Sequence, residues 1–275
     1  MHIRADLLTR IIADAAFGNG MLSPNDVSLL PQLGDKPVVI VAAAPRTGST
    51  FLANVLIRVT GLRYFRLCPA YSTNEHDLYL PSLCLAKSMG VLSQMHIKGT
   101  FHNAGLMKLF GIRPIILVRR IFDIVVSLAH DLREKECLPG FGTGVNGYSF
   151  LWHDHDVKGL DDQRLLDLII DLVVPWYVNY YVSWSRLCAQ DAVEARWVRY
   201  EDMMTKKKDT VSSILDFLGL DGDMSALDQA VERKYATFNR GDTGRGDEML
   251  SESQKGRIRR LFSYYPGTDF GMYGQ

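Results

Sequence analysis

Seven consecutive small or β-branched apolar residues, Val38-Val39-Ile40-Val41-Ala42-Ala43-Ala44, run without a spacer into Pro45-Arg46-Thr47-Gly48-Ser49-Thr50. A run with no polar alternation describes a strand covered on both faces, the condition of a strand inside a parallel sheet. Directly after the loop, Phe51, Leu52, Val55, Leu56 and Val59 recur at helical spacing, so the unit reads strand, tight loop, helix. A second unit begins at Ile115-Ile116-Leu117-Val118 and passes through Arg119-Arg120 into a helix carrying Ile121, Val125, Leu128 and Leu132. Two such units predict an α/β fold, a single domain with a central parallel sheet flanked by helices, whose ligands bind at the carboxyl ends of the strands. Both basic clusters fall at those ends.

The remaining chain is consistent with one large domain. With 275 residues it is long enough to bury a core without disulfides or a structural metal. Basic and acidic side chains balance at 31 each, which argues against a nucleic-acid binder with a broadly basic face, so any anion site must be local. Residues 1–37 read as an N-terminal amphipathic helix and linker. Leu7, Leu8, Ile11, Ile12, Ala15 and Ala16 share a face suited to docking on the core, while Arg4, Asp6, Arg10 and Asp14 interrupt any signal-peptide core. No later stretch approaches the roughly 18 uncharged apolar residues of a membrane span. Cys68, Cys84, Cys137 and Cys188 lie far apart with no CxxC pair, as expected of reduced thiols in a cytoplasmic protein. Residues 138–163, rich in glycine and aromatics, read as a long functional loop. A long helix from about Arg164 to Gln190, kinked at Pro175, a short strand over Arg196–Tyr200 and a helix stopping at Gly219 follow.

The loop at 45–50 is the strongest chemical signal. Between a buried strand and a helix it presents unpaired backbone N–H groups and the positive end of the helix dipole, which suits an anion. Gly48 allows close approach, Ser49 and Thr50 add hydroxyl donors, and Arg46 supplies a planar cation for phosphate or sulfate oxygens. An ATP-hydrolysing loop would read GxxxxGK[ST], whereas Ser49 stands where that lysine belongs. His153-Asp154-His155-Asp156 alternates like a metal cluster but reads better as a polar part of the long loop, and no metal is assigned. Lys206-Lys207-Lys208 reads as an exposed turn before a helix.

These motifs resemble the superfamily of sulfotransferases that use 3′-phosphoadenosine 5′-phosphosulfate (PAPS). In that family a loop like Pro45-Arg46-Thr47-Gly48-Ser49-Thr50, followed by an aromatic such as Phe51, binds the 5′-phosphosulfate. An arginine at a strand end and a serine eight residues on bind the 3′-phosphate, a spacing that Arg119 and Ser127 match, with Asp123 orienting or capping. Val198-Arg199-Tyr200-Glu201-Asp202 resembles the strand end whose tyrosine lies on the adenine side. Phe238-Asn239-Arg240-Gly241, with Gly244-Arg245 and Leu250-Ser251, resembles the segment closing over the 3′-phosphate, which implicates Arg240 and Gly241. The resemblance extends over residues 38–275. It implies in-line attack of an acceptor hydroxyl or amine on sulfur, releasing adenosine 3′,5′-bisphosphate (PAP), with cations such as Arg46 and Lys98 near the developing charge.

Lys98 resembles the lysine following a family strand, but Thr100 stands where the family's catalytic histidine is expected. Four other bases remain open: Glu75, similarly placed to the glutamate of carbohydrate and some bacterial members, His102, His96 and His76. The acceptor is expected to be a small molecule, carbohydrate or lipid. The aromatic residues Trp176, Tyr177, Tyr180, Tyr181 and Trp184 suit either a ring-bearing acceptor or core packing. Two rival readings are a non-catalytic PAP/PAPS-binding module and an atypical P-loop kinase. The sequence assigns no oligomeric state.

Overall fold

The computed structural model describes residues 30–69, 75–136, 159–232 and 243–275. The expected N-terminal helix, the greater part of the loop at 138–163, Cys137, Arg240 and Gly241 lie outside these residues.

The run at 38–44 forms strand β1, Val38–Ala43. Side chains alternate across it: Ile40, Ala42 and Ala44 enter one hydrophobic cluster, and Val39, Val41 and Ala43 enter the other. Both faces are covered, as the absence of polar alternation predicts. The loop delivers the chain to helix α1, Ser49–Thr60, which ends at the left-handed Gly61. Strand β2, Arg63–Tyr64, helix α2, Leu80–Ala86, strand β3, Val91–Met95, and helix α3, Phe101–Leu109, follow. The second basic unit supplies strand β4, Ile115–Val118, and helix α4, Ile121–Glu136.

The expected long helix is two: α5, Asp162–Leu172, and α6, Val174–Ala189, broken at Val173. Pro175 has no N–H to give and its ring would meet the carbonyl four residues back, so the helix restarts with proline in its first turn. This 28-residue stretch is long and apolar enough to cross a membrane by composition, yet 67% of its apolar window is buried within the fold. Strand β5 is Arg196–Arg199, and Tyr200 opens helix α7, Tyr200–Thr205, rather than closing the strand. Helices α8, Lys207–Leu218, α9, Met224–Glu232, α10, Arg245–Met249, and α11, Glu252–Ser263, complete the described chain. Lys207 and Lys208 open α8, and Gly219 caps it in the left-handed conformation.

All pairings are parallel, in the order β2-β3-β1-β4-β5. From β1 the chain moves outward to β2 and back through β3, then crosses to β4 and β5 on the other side. The following helices also divide, with α1 packed in one cluster and α4 in the other. The carboxyl ends of β1 and β4 therefore flank the point where the winding reverses, the place where open parallel sheets form a ligand crevice.

Candidate active site

Arg46 and Gly48 both take positive φ, 65° and 84°. Left-handed residues at alternate positions curl a short loop so that successive N–H groups converge on a concavity suited to an anion. An arginine rarely adopts this conformation, so the surrounding structure must impose it. Thr47, fully buried, donates its hydroxyl to Ala44 O at 2.6 Å, and Tyr177 OH donates to Pro45 O at 3.1 Å. Arg119 Nη1 donates to Arg46 O at 3.1 Å. Ser49 is buried in the first turn of α1, and Thr50 O accepts from Asn54 Nδ2 at 2.7 Å. Phe51 lies in the core with the Lys207 ammonium 5.7 Å from its ring, so its part in the site is to seat α1.

Asp123, Ser127 and Asp131 recur at four-residue intervals as a polar stripe along α4, and Arg119, at the exit of β4, stands four residues before the first of them. All four are buried. Arg46 lies along the stripe, its Nε donating to Ser127 Oγ at 3.2 Å and its Nη1 to Asp131 Oδ1 at 2.7 Å. Ser127 is thus joined to the loop cation, while Arg119 reaches the loop backbone. The Arg119 guanidinium also stacks on the Tyr200 ring at 4.3 Å, and the Cδ2–Cε2 edge of that ring abuts Gly48. Burial lowers the Arg119 pKa, and Tyr200, Asp123 and Glu201 oppose that shift.

Asp123 has the capping role expected of it. Its carboxylate accepts from the backbone N–H of Gly244 at 2.9 Å and of Gly246 at 2.8 Å, which fastens α10 to the first turn of α4. The approach is so close that a Cβ on Gly246 would fall 2.3 Å from the Phe122 carbonyl carbon. Arg120 pairs with Asp247, and Glu201 Oε1 accepts from Arg120 N at 2.9 Å. The chain downstream of Arg240 and Gly241 is thereby anchored beside Arg119.

A second group lies past the end of β3. Lys98 Nζ contacts Glu75 Oε1 at 2.9 Å and Oε2 at 2.8 Å, and Trp176 Nε1 donates to Glu75 Oε1 at 2.6 Å. Trp176 and Tyr177 are consecutive on α6, so one turn of helix touches both this carboxylate and the anion loop. Thr100 is the N-cap of α3, its hydroxyl accepting from Asn103 N at 3.2 Å. His102 is exposed and its Nε2 lies 3.2 Å from Leu78 O. His76 Nδ1 accepts the His96 backbone N–H at 2.8 Å, and the two rings stack.

His96 Nδ1 lies 2.8 Å from Ala43 O. A carbonyl only accepts, so Nδ1 carries the proton. Burial first, and the neighbouring His76 second, bring its pKa down from 6.5 to about 4, against the opposing pull of the Ala43 carbonyl. Below pH 6.5 the unfolded chain therefore takes up a proton that the folded protein refuses. Stability is complete above that pH and falls as pH drops toward 4, by about 1–2 kcal/mol between pH 7 and pH 5 for this partly exposed ring. Chemical denaturation at both pH values should show the loss in the wild type and a smaller one in His96→Asn, whose amide can still donate to Ala43. Equal losses would show that His96 does not carry the titration.

The sulfotransferase-domain family model matches residues 36–261, which include both phosphate-type motifs and the α10 anchor. The chain belongs to the sulfotransferase family. The fold is shared with mouse sulfotransferase SULT7A1 complexed with PAP, at a TM-score of 0.61 and 16% identity over 90% of this chain and 92% of that one. Retinol dehydratase in complex with androsterone and inactive cofactor PAP is similar at a TM-score of 0.54 and 13% identity, over 90% and 85% of the two chains. Among curated proteins no sequence matches this chain.

Two further site residues have a sequence signal: Asp131 is the next four-residue step after Ser127, and Glu201 lies within Tyr200-Glu201-Asp202. Tyr177 and Trp176 had no signal beyond an aromatic helix. Of that helix, Tyr177, Tyr180 and Trp184 are fully buried and Tyr181 packs on Phe270 and Tyr273, which assigns them to the core. Among the described residues no group of three or more His, Cys, Asp or Glu side chains could hold a metal ion.

Proposed function

We propose that this protein transfers the sulfuryl group of PAPS to a hydroxyl or amine of a small-molecule, carbohydrate or lipid acceptor and releases PAP. The observation carrying this reading is the pair of guanidiniums at the adjacent ends of β1 and β4, the half-buried Arg46 in the 45–50 loop and the buried Arg119 beside the α10 anchor. Two fixed cationic sites at one crevice suit a nucleotide bearing two separate phosphate groups. The loop N–H groups with Arg46 would hold the 5′-phosphosulfate, and Arg119 with Ser127 the 3′-phosphate, with Arg240 and Gly241 closing over it. Tyr200, beneath Arg119, would border the adenine side. A relative crystallised with androsterone and PAP supports a small-molecule acceptor. We place the protein in a reducing cytoplasm, since four cysteines spaced far apart along the sequence suit free thiols.

In the reaction the acceptor oxygen or nitrogen forms a bond to sulfur as the bond from sulfur to the bridging phosphate oxygen breaks. The acceptor proton goes to a base, and the leaving phosphate keeps the electron pair beside Arg46 and Lys98. Of the four candidate bases, His96 and His76 are tied into the strand backbone, and the exposed His102 meets Leu78 O through one ring nitrogen. We favour Glu75, an exposed carboxylate that Lys98 and Trp176 orient.

Glu75→Gln should cut kcat by about 10²–10⁴ while leaving PAP affinity unchanged. The check is PAP-dependent desulfation of aryl sulfates together with a panel of hydroxyl and amine acceptors and PAPS. A second reading, a PAP-binding module without turnover, is favoured by the use of Thr100 as a helix cap. Bisphosphate binding with no turnover on any acceptor would select that reading, and full activity in Glu75→Gln would remove Glu75 as the base.

A further inference from the structure

Four successive carbonyls at the foot of the anion loop each accept a hydrogen bond from a side chain. His96 holds Ala43 O at 2.8 Å, Thr47 holds Ala44 O at 2.6 Å, Tyr177 holds Pro45 O at 3.1 Å, and Arg119 holds Arg46 O at 3.1 Å. The donors come from the exit of β3, the loop itself, α6 and the exit of β4. In a trans peptide the C=O and the following N–H point in opposite directions, so a carbonyl tied down aims the next N–H the other way. The last two ties bear on one residue. Tyr177 fixes the plane of the peptide before the Arg46 Cα, and Arg119 fixes the plane of the peptide after it. The angles φ and ψ of Arg46 relate those two planes, so the pair of ties dictates its left-handed conformation at φ 65°.

We propose that Tyr177 is a positioning residue, whose hydroxyl sets the Pro45–Arg46 peptide so that the loop N–H groups are aimed at the 5′-phosphosulfate before it arrives. Tyr177 is itself held firmly. Its ring is fully buried and lies edge-on to Trp176, and its backbone carbonyl accepts from the buried Tyr273 OH at 3.0 Å. A rigid donor can impose a conformation that a mobile one would follow. The proposal rests on the reading above that this loop receives the 5′-group of PAPS.

Tyr177→Phe keeps the ring and removes only the donor. Calorimetric titration of the full chain with PAP, adenosine 5′-phosphate and adenosine 3′-phosphate separates the outcomes. Affinity for PAP and for adenosine 5′-phosphate should fall about threefold to tenfold, the value of one hydrogen bond, while affinity for adenosine 3′-phosphate holds. KM for PAPS should rise by about the same factor. An equal loss for all three nucleotides, as a merely structural tyrosine would give, overturns the proposal, and so does no loss. If the wild type itself shows no preference for nucleotides bearing a 5′-phosphate, the underlying reading of the loop fails, and the proposal with it.

Discussion

Replacing Gly48 by alanine should remove measurable PAP binding and lower folding stability by about 2–4 kcal/mol. Two independent costs meet at this position. At φ 84° any residue with a Cβ is strained, by roughly 1–2 kcal/mol. The new methyl would also stand 2.8 Å from Tyr200 Cδ2 and 3.0 Å from Met203 Cε. Met203 is the end of a flexible chain and can yield, but Tyr200 is pinned between the loop and the Arg119 guanidinium. Displacing that ring moves Arg119, which removes the tie on Arg46 O and disturbs both phosphate positions at once. Denaturant unfolding and calorimetry with PAP test this directly. An affinity within tenfold of the wild type would contradict the packing argument.

Arg119→Ala should weaken PAP binding by roughly 1.5–3 kcal/mol, the range of a charge-assisted contact to phosphate. The structure adds a second effect that sequence spacing did not suggest. Because Arg119 also donates to Arg46 O, adenosine 5′-phosphate should bind more weakly as well, by about twofold to tenfold. Ser127→Ala should cost less, about 0.5–1.5 kcal/mol, and the double variant should fall short of the sum, since Ser127, Arg46 and Arg119 form one network. Titrations with both nucleotides settle the matter. Unchanged PAP affinity in a folded Arg119→Ala protein would remove Arg119 from the site.

What the sequence revealed and what it concealed follow from how each feature is encoded. β1 and β4 were legible because both are buried on two faces and leave unbroken apolar runs. The Arg119, Asp123, Ser127 pattern was legible through its resemblance to the family motif, an arginine at a strand end and a serine eight residues on. β2 was not, since two exposed residues, Arg63 and Tyr64, carry no period. β3 was obscured by Ser93 and Gln94, which interrupt its apolar run although Ser93 is fully buried. A kink at Pro175 was readable because proline acts locally, but the division into two helices at Val173 was not.

Contacts between distant segments left no trace. Arg46 and Asp131 are 85 residues apart, and Pro45 and Tyr177 are 132 apart, so neither pairing has a local signature. The histidines show the same limit. Only their hydrogen bonds distinguish His96 and His76, which serve the strand backbone, from a base facing an acceptor. Thr100 looked like a lost catalytic residue, but its hydroxyl is the cap on which α3 begins.

The central claim is that the crevice between β1 and β4 reads two separate phosphates on one nucleotide, and thermal unfolding with competing nucleotides tests it most directly. At a hundred times its Kd, PAP should stabilise the protein by about 2.7 kcal/mol. Adenosine 5′-phosphate at the same concentration should give a clearly smaller shift, and ATP with Mg²⁺ almost none, because Ser49 stands where a kinase loop places its lysine. A larger shift with ATP and Mg²⁺ than with PAP would contradict the account.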